Sequence, residues 1–211
     1  MRSWLPSAMS RPANSAHAEL AAHARGLNLY LGRLERLTRG GTVPSADVQR
    51  AYAGAFLSFY VDLERGIEDV FMGLLMGRLT VTRPQVRSLV AIDSEVVARR
   101  VVRGDRRFVD WLPYQLTRDR AEAFFSNGEP FASISETQAR PLERVRIVRN
   151  ALAHGGGHAV RLFEKTFTDG VALPPEQRRP AGYLRGQHAV WQTRFEYLLA
   201  DAVLVVKTLC Q

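Results

Sequence analysis

Apolar residues recur at intervals of three and four over most of the chain, and that period predicts helices. Residues 15–38 carry Leu20, Leu27, Leu31 and Leu34 at helical spacing, and Gly40, Gly41 and Pro44 end the run. Ser45 is placed to cap a second, longer helix reaching about Gly77. Phe56, Phe59, Leu63, Ile67, Val70 and Leu74 form its apolar side, and Asp62, Glu64, Arg65, Glu68 and Asp69 its polar side. Pro84 and the β-branched residues of 78–92 predict a loop or short extended piece. Asp93 and Ser94 are placed to cap a helix through Arg103, and Thr117 to cap a short one ending at Asn127 and Gly128. Ser135 to Thr137 opens a further helix with Pro141 near its first turn, where a missing N–H is tolerated. Residues 155–185, rich in Gly and Pro, read as irregular with a small strand around His158 to Phe163. A last helix, about Gln187 to Leu209, is expected to bury Val190, Phe195, Leu198, Leu199, Val203 and Val206. The sum is an all-α bundle with two long helices and several short ones. Residues 1–14, with Pro6 and Pro12, are expected to be a flexible tail, and 15–211 a single domain.

Composition narrows the function classes. A chain of 211 residues, 46% hydrophobic and 24% charged, is ordinary for a folded domain with a sizeable core. Its most apolar stretches, Ala51–Val61 and Tyr197–Cys210, are too short or too interrupted by charge to span a bilayer and read as core helices. Cys210 is the only cysteine, so no internal disulfide forms, and a reducing, cytoplasmic setting is the simplest expectation. The net charge of +8 favours polyanionic partners such as RNA, DNA or anionic lipid. Of 29 basic residues only Lys165 and Lys207 are lysine, a bias more readily ascribed to base composition than to selection for phosphate binding. The planar guanidinium is nonetheless the better fork for phosphate.

One stretch carries candidate chemistry: ERVRIVRNALAHGGGHAV, residues 143–160. Leu142, Val145, Val148 and Leu152 share one face of a helical wheel, which leaves Asn150 and His154 one turn apart on the other side and Arg149 on the flank. Arg149 and His154 lie about 140° apart around an ideal helix. They are expected to converge by reaching, by fraying of the helix end, or by a two-fold dimer that pools two sets. His154 falls at the helix C-terminus, where exposed carbonyls and the dipole favour a positive charge. Gly155 to Gly157 leave the ring open to a bulky ligand. A histidine that moves protons beside a guanidinium that neutralises charge on phosphorus suits phosphodiester cleavage. Spacing alone is equally that of an ordinary helix end with Gly155 just past it.

The RNALAH stretch, an Arg-Asn-x-x-x-His signature late in a helical chain, resembles the HEPN superfamily, whose motif is Arg, four to six residues, then His. FYVDLERGIEDVF, WLPY, RAEAFFSNGEPF and the final amphipathic helix are similar to segments of bacterial members, so the likeness covers about residues 45–209. It implies an HEPN-like bundle and a metal-independent endoribonuclease of toxin–antitoxin, phage-defence or stress systems. In that reading Arg149 and His154 are catalytic, and Asn150 orients one of them or the phosphate. The RNA 2′-OH attacks the neighbouring phosphate, giving 2′,3′-cyclic phosphate and 5′-OH ends in a composite homodimer cleft, without DNA cleavage. An antitoxin or other defence partner is also implied. Some members carry a tyrosine two residues after the histidine that a nucleotidyltransferase modifies; here that position is Gly156.

Auxiliary roles attach to Glu64 or Glu68 as acidic helpers, to His158 as an assistant to His154, and to Arg144 and Arg146 as RNA backbone contacts, each also explicable as solvated surface. Trp111 and Tyr114 suit base stacking or, beside Leu112 and Pro113, packing. No metal or cofactor is expected: His17 and His23 do not share a helix face, His188 has no paired ligand in sequence, and the glycine run follows a helix instead of opening one. Two function classes remain, the ribonuclease and a non-catalytic HEPN-like module binding RNA, a nucleotide or a protein.

Overall fold

The computed structural model describes residues 11–82 and 86–211, so residues 1–10 of the expected tail and Pro84 lie outside it. The fold is all-α, with eight α-helices among the described residues. In chain order they are α1 (Asn14–Arg39), α2 (Ser45–Leu75), α3 (Glu95–Arg103), α4 (Tyr114–Phe124), α5 (Glu136–His154), α6 (Gly157–Phe167), α7 (Pro180–Arg185) and α8 (Arg194–Leu209). Four of these are long, with 26, 31, 19 and 16 residues in α1, α2, α5 and α8, where two were expected. Among the described residues strand forms two small pairs: β1 (Arg11–Pro12) runs parallel to β2 (Leu79–Thr80), and β3 (Gln187–Ala189) is antiparallel to β4 (Gln192–Thr193).

By packing, the chain forms two compact units, each assembled from separated segments. The first holds residues up to Glu19, Glu64–Leu142 and Leu204–Gln211; the second holds Leu20–Leu63 and Glu143–Val203. In the first, Phe71 of α2 is the hub, with ring centroids 5.1 Å from Trp111, 5.0 Å from Phe125 and 5.2 Å from Phe131. In the second, Phe195 of α8 takes the edges of Tyr52 and Phe56 of α2 at 5.6 and 6.2 Å, and Phe163 packs on Phe167 and Tyr183.

Several element boundaries differ from the sequence reading, each for a local reason. Ser45 is the first residue of α2 and not its cap: the Pro44 carbonyl accepts from the Asp47 and Val48 N–H groups, while the Ser45 hydroxyl receives Arg185. Thr117 is likewise no cap. It is buried inside α4, its hydroxyl donates to the Trp111 carbonyl at 2.6 Å, and the helix opens after Pro113. Pro141 sits in the second turn of α5. The strand expected at His158–Phe163 is helix α6, because Phe163 and Phe167 fall on one buried face at i, i+4. The last helix starts seven residues later than expected. Gln187–Thr193 forms a hairpin that leaves Val190 78% exposed, and the start is fixed by a reciprocal pair in which Thr193 Oγ1 accepts from Glu196 N–H and Glu196 Oε2 accepts from Thr193 N–H.

Cys210 is buried, and that burial pushes its thiol up from 9.0 to about 11, against an opposing hydrogen bond with the His17 backbone. The neutral thiol therefore contributes stability that is fully present below about 9 and is lost as pH rises through 11. Alkylation of native protein at pH 8 should be slow and should become rapid in denaturant, with mass spectrometry as the readout. Phe71→Ala should cost about 3–5 kcal/mol in chemical denaturation, because the surrounding rings cannot close the cavity.

Candidate functional site

The register of α5 is set at its first turn. Ser135 Oγ accepts from Gln138 N–H at 3.3 Å while Gln138 Oε1 accepts from Ser135 N–H at 2.9 Å, a reciprocal cap that satisfies two otherwise orphaned donors. From there Leu142, Val145 and Val148 are fully buried, and Ile147 and Ala151 widen the stripe on either side. Leu152, expected on the same stripe, is only half-buried. Arg149 and Asn150 are left at the margin of the stripe and His154 on the exposed last turn.

Within one chain the three side chains converge. Arg149 Nη1 lies 3.0 Å from Asn150 Oδ1, to which it donates, and 2.9 Å from His154 Nε2. Of the three expected routes to convergence, it is the reach of Arg149 that closes the angular gap within one chain. Its guanidinium carbon sits 5.2 Å from the ring centroid of Tyr60 on α2, a cation–π contact that supports the side chain from below. Because a guanidinium N–H only donates, Nε2 is the acceptor and the ring proton belongs on Nδ1. Gly155 ends the helix at φ 53, the left-handed conformation that a residue lacking Cβ adopts without strain. Gly157 is the first residue of α6 and does not share that need.

The other expected site residues have different neighbours. Arg146 is held by Glu143 through two bonds of 2.8 and 2.6 Å, and that pairing, more than burial opposes it, raises its pKa. Arg144 donates to the Tyr197 hydroxyl at 3.3 Å and lies over the rings of Phe167 and Tyr197 at 5.4 and 5.3 Å. Both arginines of the expected RNA contact are thus engaged within the second unit. His158 is the second residue of α6 and is exposed. Glu64 and Glu68 belong to the first unit, where Glu68 receives Arg99 and accepts from Trp111 Nε1 at 3.2 Å. Trp111 is 3% exposed and Tyr114 donates from burial to the Phe131 carbonyl at 3.0 Å, so both rings are packing elements and not stacking platforms. His23 pairs with Asp62 at 2.5 Å and His188 stacks on Tyr197 at 3.8 Å. No group of residues suited to hold a metal occurs among the described residues.

Tyr60 is the participant that sequence reasoning missed. At 5% exposure, next to Phe59 and four residues past Phe56, it is indistinguishable in sequence from the core aromatics around it. No helix among the described residues is long and apolar enough to cross a membrane. No protein-family model, no curated protein and no solved structure matches the chain.

Nitrogen NMR of the neutral ring tests the trio directly. The wild-type His154 should carry its proton on Nδ1, and Arg149→Ala should move it toward Nε2; an unchanged tautomer would show that Arg149 does not hold the ring.

Proposed function

We propose that the chain is a metal-independent endoribonuclease of the HEPN type, acting through Arg149, Asn150 and His154. The observation that carries the reading is the convergence of these three side chains on an exposed helix end, with Arg149 Nη1 at 2.9 Å from His154 Nε2. An excess of positive charge on the chain, +8, agrees with a polyanionic substrate.

In the resting chain Arg149 occupies the Nε2 lone pair. A substrate phosphate draws the guanidinium toward its own oxygens, because a charge-assisted, bidentate bond to phosphate is stronger than a bond to a neutral ring nitrogen. Nε2 is thereby freed to take the proton of the ribose 2′-OH as the oxygen attacks the adjacent phosphorus. The P–O5′ bond breaks, the 5′-oxygen leaves with the proton that His154 gives back, and the products are a 2′,3′-cyclic phosphate and a 5′-OH. Arg149 neutralises the charge that accumulates on the phosphoryl oxygens, and Asn150 holds Arg149 in place through its Oδ1. A homodimer that pools two such sets, and a role in toxin, phage-defence or stress responses with an antitoxin or similar partner, belong to the same proposal.

The closed Arg149–His154 contact also supports a second reading. With its acceptor satisfied, the trio is a rigid anion-binding unit that needs no turnover, as in a non-catalytic module for RNA, a nucleotide or a protein.

Cleavage of mixed tRNA and mRNA in EDTA separates the two. Wild-type protein should produce cyclic phosphate ends, His154→Ala and Arg149→Ala should each lose at least about 100-fold in rate, and 2′-deoxy substitution at the cut site should abolish product. RNA binding without cleavage, weakened by the same substitutions, would establish the binding module instead.

A further inference from the structure

The first unit contains a concave basic site that none of the foregoing uses. Helix α3 ends at Arg103, Gly104 turns the chain at φ 60, and Arg106 follows in the turn, while α4 presents Leu116, Arg120 and Phe124. These residues line one cavity of about 310 Å³. That is the lower end of the volumes that hold small organic ligands, about 300–1,000 Å³, and more than a lone tetrahedral oxyanion fills.

Its charge is unbalanced. Arg103, Arg106 and Arg120 form no ion pair among the described residues. The single carboxylate of the lining, Asp119, accepts from Gln115 Nε2 at 2.6 Å. Arg120 is fixed in place: its guanidinium carbon lies 4.8 Å from the Trp111 ring centroid, and Nη1 donates to the Asp110 carbonyl at 3.2 Å. Burial, and after it the charge of Arg106, push Arg120 below its usual value, outweighing the opposing charges of Asp110 and Asp119. A positioned cation is therefore held where its own surroundings oppose its charge, and a bound anion relieves both costs at once. Leu116 and Phe124, one turn to either side of Arg120 on the same face of α4, are apolar and half-buried, with the Phe124 ring braced edge-on against Phe71 at 6.0 Å.

We propose that this pocket binds a nucleotide, with its phosphate on Arg103, Arg106 and Arg120 and its base against Leu116 and Phe124. The lining offers both chemistries of that ligand: guanidinium forks for the phosphate oxygens and, beside Arg120, an aromatic and aliphatic surface for a flat ring. The site shares no residue with Arg149, Asn150 and His154, so it stands whether or not the chain cleaves RNA. A free mononucleotide and a nucleotide within an RNA strand present the same chemistry.

Calorimetric titration of the full chain distinguishes them. AMP, adenosine, inorganic phosphate and a five-nucleotide RNA are compared, the RNA arm in the His154→Ala background so that the strand stays intact. AMP or the RNA should bind, and AMP, if it binds, at least tenfold more tightly than adenosine or phosphate alone. Arg106→Gln and Arg120→Gln should each weaken binding on the order of tenfold, and Arg36→Gln, an exposed arginine of α1, should not. Tighter AMP identifies a free nucleotide as the ligand; tighter RNA identifies a strand. Arg120→Gln also removes the contact with Trp111, so the exposed Arg106 carries the test if that variant unfolds. The proposal is overturned if neither AMP nor RNA binds, if Arg106→Gln leaves affinity unchanged, or if Arg36→Gln weakens it equally, which would reduce the effect to net charge.

Discussion

A 31-residue helix with Val48, Phe56, Phe59, Leu63, Ile67, Val70 and Phe71 fully buried is the constraint that the rest of the chain answers. Each such side chain gains about 1.5–3 kcal/mol when removed from water, and none gains it without another element lying against α2. Along its first part the cover is supplied by Phe195 of α8, and along its last part by Trp111, Phe125 and Phe131. The site inherits its geometry from this arrangement. Tyr60 lies on the same helix, and it is Tyr60 that gives the Arg149 guanidinium a surface to rest on.

Helix existence was legible wherever burial had one dominant face. The period-3.6 patterns of α1, α2 and α5 predict those helices to within a few residues, since a single stripe faces the core in each. It failed where short-range chemistry outweighed composition. Glycines at 155–157 suggested a long irregular region, yet only Gly155 has a left-handed φ, and the Phe163–Phe167 pair restores a helix at once. The start of α8 was readable in principle: TRFE, residues 193–196, has the spacing of a reciprocal cap, but counting the apolar Val190 ahead of it as part of the buried side sets the boundary too early. Tertiary partners left no such trace. Nothing in the order of residues places Tyr60 beneath Arg149 or Arg185 on Glu35.

The trio itself was visible as residue types at a spacing, but the contacts that join it were not. The place of His154 in the last turn of α5 follows from the helix pattern and the glycines after it. Arg149 presents a donor to Nε2 at 2.9 Å, a contact that depends on the rotamer of a long side chain and so leaves no trace in the spacing.

His154 is also the final helical residue of α5, and the bond from Arg149 spans the whole last turn. It works as a clasp on a helix end that would otherwise fray. Any anion that takes the guanidinium opens the clasp, so ligand binding and the order of the terminal turn are linked quantities. By reciprocity, a change that locks the turn closed lowers affinity for the anion by the same factor that the anion loosens the turn.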